Sequence, residues 1–223
     1  MMTDQVRVKL CGINDPAAFD TAVELAVDWI GFVFFAASPR ALTPADAAAL
    51  SARHAGGPLR VGLFVSPTDD EIVAVLDLLR LDVLQLYVPA ERAVELGARF
   101  ALPVWHAVAV ADRSDLPVAR PGIDGWVIES RPPAGATRPG GNAARFDWRI
   151  THGWHAGLPW LLAGGLTPDN VGEALRQSGA GAVDTSSGIE SAPGVKDPAR
   201  MRVFVRAARG GSTSPQSALE RAP

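Results

Sequence analysis

The strongest constraint on the fold is a repeated alternation of short apolar segments with stretches of helical periodicity along a chain of 223 residues. Most of the apolar segments are hydrophobic at successive positions, which is typical of parallel strands covered on both faces. Eight such units favour the α/β class and a closed (β/α)8 TIM barrel over an open, doubly wound sheet. The predicted strands are 6–11, 29–34, 60–65, 83–87, 104–110, 125–129, 160–163 and 182–185.

Local signals mark where the helices begin. A capping residue followed by proline satisfies one free amide and supplies a preset φ at the first helical position. Thr68 and Glu71 have the spacing of a capping box. The fifth unit, at 112–119, is too short and too interrupted by proline to predict a helix. The capping pairs with proline are Asp15-Pro16, Thr43-Pro44, Thr167-Pro168 and Asp197-Pro198.

Two segments fall outside the alternation. The segment 130–145 follows the sixth strand and is rich in proline and glycine, so we expect a functional or mobile loop. The end of the chain, 210–223, is rich in Gly, Ser and Pro without periodicity, which predicts a disordered tail. The sequence therefore predicts one barrel domain at 1–209 followed by this tail.

Composition narrows the class of partner and the compartment. A net charge of -3 with interspersed signs gives no basic footprint, so we expect no nucleic acid partner. The longest apolar run, 29–37, is too short to cross a membrane. A single cysteine and a start without signal-peptide layout indicate a cytoplasmic protein. A barrel of this kind can be stable as a monomer, so the composition requires no oligomer, and we expect a monomer or a homodimer.

Phosphate binding is predicted where the last two strands end. The active site of such a barrel lies at the carboxyl ends of its strands, and phosphate often binds after the seventh and eighth. Two polar, glycine-containing turns occupy these places and offer backbone amides and hydroxyls to an anion. The alternative is that the glycines only make tight turns. The candidate phosphate-binding residues are Gly164, Gly165, Ser186, Ser187 and Gly188.

Two reactive side chains also stand at strand ends. Cys11 ends the first strand and is either a small buried apolar residue or a functional thiolate. Lys9 is not expected to stabilise a thiolate, because alternation places it beside the strand pair or in the barrel layer below. Glu129 ends an apolar run, where a carboxylate is unfavourable unless it is paired, hydrogen-bonded or functional. We favour a functional role.

Three further polar residues have open roles. Arg40 either holds a carboxylate or phosphate through two parallel hydrogen bonds or is a solvated loop arginine. Asp184 is expected to hold the turn after the eighth strand, with orientation of Ser186 or a substrate hydroxyl as the alternative. His106 is expected to pack or bond within the barrel, and the histidines have no neighbours that predict a metal site.

Several ordered motifs are spread over the eight units. They are Lys9-Leu10-Cys11-Gly12-Ile13, Gly31-Phe32-Val33-Phe34 with Ser38-Pro39-Arg40, 61–65, Gly140-Gly141 with Phe146-Asp147-Trp148, 162–166 with Asn170-Val171, and 183–190 with 193–197. Together they resemble the phosphoribosylanthranilate isomerase family of tryptophan biosynthesis, whose members are (β/α)8 barrels. The resemblance covers nearly the whole chain to about residue 209.

The resemblance implies an Amadori rearrangement of a phosphosugar without a cofactor. N-(5-phosphoribosyl)anthranilate would become 1-(2-carboxyphenylamino)-1-deoxyribulose 5-phosphate through two proton transfers. Cys11 matches the position of the family's general base, and Glu129 matches that of its general acid. Arg40 takes the position that holds the anthranilate carboxylate, Gln85 and Asp184 are assigned to substrate binding, and the two turns would hold the phosphate.

Three positions depart from the family pattern. Glu129 stands where the family has Asp, and Tyr87-Val88 stands where it usually has His-Gly. Asn142-Ala143 replaces a Thr or Leu followed by Gly. These departures leave two alternatives to the isomerase: a non-catalytic or repurposed phosphosugar-binding barrel, and a related aminoaldose isomerase. Histidine-pathway isomerases use carboxylates at both proton-transfer positions, so Cys11 disfavours that relation.

Overall fold

Eight parallel strands close into a barrel in a computed structural model of the protein, which describes residues 5–132, 135 and 145–210. Each strand pairs with its sequence neighbours, and β1 pairs with β8 to complete the ring. The predicted (β/α)8 fold is confirmed, with strand boundaries within one residue of the expected ones. The strands are β1 (Arg7–Cys11), β2 (Trp29–Phe34), β3 (Leu59–Val65), β4 (Val83–Tyr87), β5 (Val104–Val110), β6 (Gly125–Ser130), β7 (Trp160–Leu162) and β8 (Ala182–Thr185).

Six α-helices cover the outside of the barrel within the described residues. The fifth connection has only a 3₁₀ turn at Arg113–Asp115, as its prolines predict, and the sixth has another at Trp148–Thr151. No helix in the described part of the chain is long and apolar enough to cross a membrane. The helices are α1 (Pro16–Glu24), α2 (Pro44–Ser51), α3 (Asp69–Leu76), α4 (Ala90–Phe100), α5 (Val171–Ser178) and α6 (Pro198–Gly210).

The capping signals locate three of the four proline-marked starts. α1, α2 and α6 begin at the expected prolines, and the caps Asp15, Thr43 and Asp197 accept hydrogen bonds from backbone amides of the first turn. The predicted start at Thr167-Pro168 is wrong, because α5 begins only at Val171. The Asn170 side chain accepts from the Thr167 amide at 2.8 Å, which closes a separate turn before the helix.

Large apolar side chains fill the barrel interior near the amino ends of its strands. Trp29 and Trp105 meet edge to face with ring centroids 5.1 Å apart, within a cluster that every barrel strand except β1 supplies. Polar side chains lie between this apolar cluster and the carboxyl ends of the strands. They are Lys9, Gln85, Glu129 and Asp184. The interior is therefore a packed core at one end and a polar cavity at the carboxyl ends of the strands.

A short antiparallel hairpin after β8 was not predicted. It consists of β9 (Glu190–Ala192) and β10 (Val195–Lys196), which follow a 3₁₀ turn at Ser187–Ile189. Gly194 turns the hairpin with a φ of 81°, and a side chain there would collide with the Pro39 carbonyl oxygen. The hairpin thus packs against the loop that follows β2.

Three expectations fall partly or wholly on residues outside the described ranges. They concern the long segment after β6, the Asn142-Ala143 departure within it, and the tail. Gly210, the first residue of the predicted tail, belongs to the end of α6.

We expect Thr68→Ala to lower the free energy of unfolding by about 1 kcal/mol. Thr68 Oγ1 accepts from the Glu71 amide, and the Glu71 carboxylate accepts from the Thr68 amide at 2.8 Å, so the substitution breaks a reciprocal cap at the start of α3. Equilibrium urea unfolding measures the difference. Thr68→Ser keeps the acceptor and serves as the control; equal losses in both variants would contradict the assigned cap.

Candidate active site

A cavity that is open to solvent lies at the carboxyl ends of the barrel strands. Of the ten predicted site residues, all but Gly188 line it, and Gly188 lies in an adjoining hollow with Gly165 and Ser187. The structure thus brings the predicted residues together. Those at the cavity are Cys11, Arg40, Gln85, Glu129, Gly164, Gly165, Asp184, Ser186 and Ser187.

Lys9 and Asp184 form an ion pair beneath Cys11. The Lys9 Nζ donates to Asp184 Oδ2 at 2.9 Å, and the two residues are direct neighbours across the β1–β8 pair. Lys9 is fully buried. The expectation that Asp184 holds a turn is therefore wrong, because its carboxylate points into the barrel at the level of Lys9. Its second oxygen, Oδ1, has no partner among the described residues.

The expectation that Lys9 has no influence on Cys11 is also wrong. Lys9 does lie in the layer below Cys11, yet its long side chain reaches up beside the thiol. A Cβ on Gly31 of β2 would lie 2.8 Å from Cys11 Sγ and 3.2 Å from Lys9 Nζ. Glycine at this position therefore leaves the space in which the thiol and the ammonium meet.

Two opposing effects act on the pKa of Cys11. Burial raises the pKa of the thiol, and the Asp184 carboxylate adds to this rise. The ammonium groups of Lys9 and Lys196 lower the pKa, but burial prevails, so the thiol is the resting form. A thiolate formed during a reaction would be stabilised by both lysines.

Glu129 is a buried carboxyl that favours its protonated form. It is 5% exposed at the end of β6. Burial raises its pKa to about 8, the nearby Asp184 adds to the rise, and the Tyr87 hydroxyl and Lys9 act in the opposite direction. A carboxyl with such a pKa still holds its proton near pH 7, which suits a general acid.

Gln85 and Tyr87 stand together on the cavity side of β4. The Gln85 side-chain amide donates to the Tyr87 hydroxyl at 3.2 Å, and Gln85 Oε1 has no partner among the described residues. Burial raises the pKa of Tyr87 well above its ordinary value, with a further rise from Glu129. The phenol is therefore a neutral hydrogen-bond donor in this site.

Arg40 is a fixed, buried guanidinium and not a solvated loop residue. It is 5% exposed, and its Nε and Nη2 donate to the two carboxylate oxygens of Glu190 at 2.6 and 2.9 Å. Lys196 Nζ donates to the same carboxylate at 2.7 Å. The bidentate pair fixes the plane of the guanidinium at the edge of the cavity.

Glu190 and Lys196 were not predicted to belong to the site. Both belong to the hairpin β9–β10, and Glu190 contacts Arg40 across 150 residues of sequence. Burial alone would raise the pKa of Glu190, but the hydrogen bond from Arg40 and the charge of Lys196 hold it below its ordinary value. The Pro193-Gly194 pair was the one local signal for a turn here.

The two predicted phosphate turns pack directly on each other. Gly164 and Gly165 have φ values of 85° and 63°, in the region that favours glycine. A side chain on Gly188 would collide with the carbonyl oxygen of Leu166. Ser186 Oγ donates to the Cys11 carbonyl at 3.0 Å, which ties the second turn to the end of β1.

Comparison with known proteins identifies the family. Residues 8–207 match the family model described as N-(5'phosphoribosyl)anthranilate (PRA) isomerase. The chain belongs to the PRA isomerase family. A relative from Acidiphilium cryptum named N-(5'-phosphoribosyl)anthranilate isomerase is 52% identical over 202 residues, covering 91% of this chain and 98% of the relative.

Solved PRA isomerase structures share the barrel. TrpF from Jonesia denitrificans superposes with a TM-score of 0.78 at 34% identity and covers 93% of this chain and 98% of its own. A phosphoribosyl anthranilate isomerase in complex with reduced 1-(o-carboxyphenylamino)-1-deoxyribulose 5-phosphate superposes with a TM-score of 0.76 at 29% identity. That match covers 92% of this chain and 99% of the other.

We expect Glu129→Gln to stabilise the protein at alkaline pH relative to the wild type. The pKa of Glu129 is about 8 in the folded state and near its ordinary 4.5 in the unfolded state, so the folded protein binds the extra proton between these values. The wild-type free energy of unfolding therefore falls as pH rises from 4.5 to 8, by up to about 5 kcal/mol from this group. Glu129→Gln has no titrating carboxyl at this position, so its free energy of unfolding should not show this fall.

Urea unfolding of both proteins at pH 5 and pH 8.5 measures this effect. Glu24→Gln removes an exposed carboxylate and serves as the control, since it should leave the pH dependence of the wild type unchanged. Parallel stability curves for the wild type and Glu129→Gln would contradict a raised pKa at Glu129.

Proposed function

We propose that the protein converts N-(5-phosphoribosyl)anthranilate to 1-(2-carboxyphenylamino)-1-deoxyribulose 5-phosphate, with Cys11 as the general base and Glu129 as the general acid. The observation that carries the assignment is that both side chains line one cavity with Arg40 and the two glycine-containing turns. Membership of the PRA isomerase family and the product analogue bound by a related barrel support the same reaction.

Glu129 begins the reaction. Its proton passes to the furanose ring oxygen, the bond from that oxygen to C1' breaks, and the anthranilate nitrogen supplies the electron pair that forms a Schiff base. The raised pKa of Glu129 keeps the proton available near neutral pH. The low exposure of the carboxyl keeps competing water from it.

Cys11 completes the rearrangement. The resting thiol first releases its proton to solvent through the open cavity, and the thiolate then removes the proton at C2'. The resulting enolamine ketonises to the product. Lys9 and Lys196 lower the pKa of the thiol and so favour the thiolate that this step requires. The Lys9–Asp184 pair holds one of these charges in place beneath the thiol.

Two anionic ends of the substrate fix its orientation. The anthranilate carboxylate would lie on Arg40, because Glu190 holds Nε and Nη2 and Nη1 has no bond to another described residue. The phosphate would lie at the turns around Gly165 and Ser187, which line the cavity. The reacting carbons then lie between Cys11 and Glu129.

We propose that the protein acts as a monomer or a homodimer, since both proposed catalytic side chains line one cavity within the described chain. The proposed base is a free thiol, a state that the cytoplasm maintains. We therefore assign the reaction to that compartment.

A phosphosugar-binding barrel without turnover is the second candidate. Glu129 and Tyr87 favour it, because both depart from the residues that the family usually has at these positions. Glu129 is one methylene longer than Asp, and a displacement of about 1 Å in a catalytic group lowers a rate by on the order of 100-fold. The buried charges around Cys11 and Arg40 favour the isomerase, since simple phosphate binding needs neither residue.

We expect Cys11→Ser to lower kcat by about 10²- to 10⁴-fold while the protein stays folded, because a hydroxyl ionises far less readily than a thiol and so supplies almost no anionic base near neutral pH. Substrate is generated in place from anthranilate and phosphoribosyl pyrophosphate by a separate transferase, and the product is quantified by chromatography. Circular dichroism and thermal unfolding confirm the fold of the variant.

Glu129→Asp and Cys11→Ala separate the two candidate functions. Product formed by the wild type and abolished in Cys11→Ala supports the isomerase. An inactive wild type together with an active Glu129→Asp variant would instead support the binding barrel. Unchanged turnover in Cys11→Ser would remove Cys11 from the mechanism.

A further inference from the structure

We propose that Tyr87 is the positioning residue for Glu129, and that its hydroxyl donates a hydrogen bond which orients the carboxyl and stabilises the carboxylate left after proton transfer. The inference rests on the proposed role of Glu129 as the general acid. It concerns a pair of side chains on β4 and β6, separated by the intervening strand β5.

The backbone around Tyr87 is fixed on both sides. The Ser66 amide donates to the Tyr87 carbonyl at 3.1 Å, from the turn that follows β3. On the other side, His106 Nε2 lies 2.8 Å from the Val88 carbonyl oxygen and bonds to it, as expected for a histidine that bonds within the barrel. The phenol therefore extends into the cavity from an anchored strand end.

The surface between the two side chains is open because β5 carries only methyl groups there. The pairing of Leu86 with His106 places Tyr87 level with Ala107, and Ala109 pairs with Glu129. These alanines line a shallow hollow together with Tyr87 and Glu129. The phenol and the Glu129 carboxyl thus lie on the same side of the sheet, across the small side chains of β5, and both line the same cavity.

The direction of the proposed hydrogen bond follows from the partner of Tyr87 on its own strand. The Gln85 amide donates to the phenolic oxygen at 3.2 Å. A phenol has one hydrogen to donate, and Gln85 does not take it. That hydrogen is directed to Glu129, so the order of donation is Gln85 to Tyr87 to Glu129.

The hydrogen bond from Tyr87 would stabilise the carboxylate that Glu129 becomes when it transfers its proton. When the Glu129 O–H bond breaks and the proton joins the substrate ring oxygen, a negative charge forms on a buried carboxyl. The titratable groups that face it are Tyr87 from β4, Lys9 from β1 and Asp184 from β8. Asp184 opposes the charge, whereas the Tyr87 hydroxyl and Lys9 favour it. Glutamate also has one more rotatable bond than aspartate, and the tyrosine restricts that freedom.

Tyr87→Phe removes the hydroxyl and keeps the ring. The titration of Glu129 is followed by the infrared carbonyl band of its protonated form, which is assigned by its loss in Glu129→Gln. We expect the midpoint in Tyr87→Phe to move to higher pH by about one pH unit, since the carboxylate loses a donor. We also expect kcat to fall about 10- to 100-fold with KM within about 2-fold.

A double-mutant cycle with Glu129→Asp tests the positioning role. The shorter carboxyl no longer reaches the phenol, so Tyr87→Phe should change kcat by less than about 2-fold in this background. Thr151→Val is the control. It removes a buried hydroxyl that donates to the Trp148 carbonyl and does not line the cavity. It should change neither the Glu129 titration nor kcat.

Three results would overturn the inference: an unchanged Glu129 titration in Tyr87→Phe, an equal loss of kcat in the wild-type and Glu129→Asp backgrounds of the cycle, or a loss confined to KM. A wild type without isomerase activity would overturn the proposed function instead. The infrared titration would then still decide whether Tyr87 donates to Glu129, so the two failures are distinguishable.

Discussion

The site depends on one buried ion pair, Lys9 with Asp184, which joins the first strand of the barrel to the last. Burying two charges in this way contributes little net stability, because their desolvation offsets their attraction. Its consequence is electrostatic: a fixed ammonium lies beneath Cys11 in a place that solvent does not reach. The glycine at position 31 is part of the same arrangement, because any side chain there would displace the thiol and the lysine together.

Much of the fold was predictable because its determinants are local. Runs of buried residues mark each strand, and strand ends in a closed barrel converge on one rim, so Cys11, Gln85 and Glu129 were found without tertiary information. The same rule placed the glycine-containing turns. Where a single local signal competed with another, prediction failed: Thr167-Pro168 suggests a helix start, but the Asn170 side chain closes a turn first.

The remaining features depend on contacts that no local pattern encodes. Alternation gives the side of a strand on which Lys9 lies but not how far its side chain reaches. The hairpin residues Glu190 and Lys196 hold Arg40 in place only because the loop after β2 packs on the hairpin and brings Arg40 next to Glu190. Tyr87 and Glu129 line one hollow with the two alanines on β5, and the sequence does not show that these four residues are neighbours until the strand order is known.

The balance of charge in the cavity has a consequence for substrate capture. With Glu129 and Cys11 both neutral at rest, the charged side chains around the cavity in the described part of the chain are the cations Lys9, Arg40 and Lys196 against the carboxylates Asp184 and Glu190. These charges sum to +1 in a protein whose net charge is -3. Such a balance favours an anionic ligand at the cavity over the rest of the surface, and added salt weakens this long-range attraction while it screens the buried groups much less.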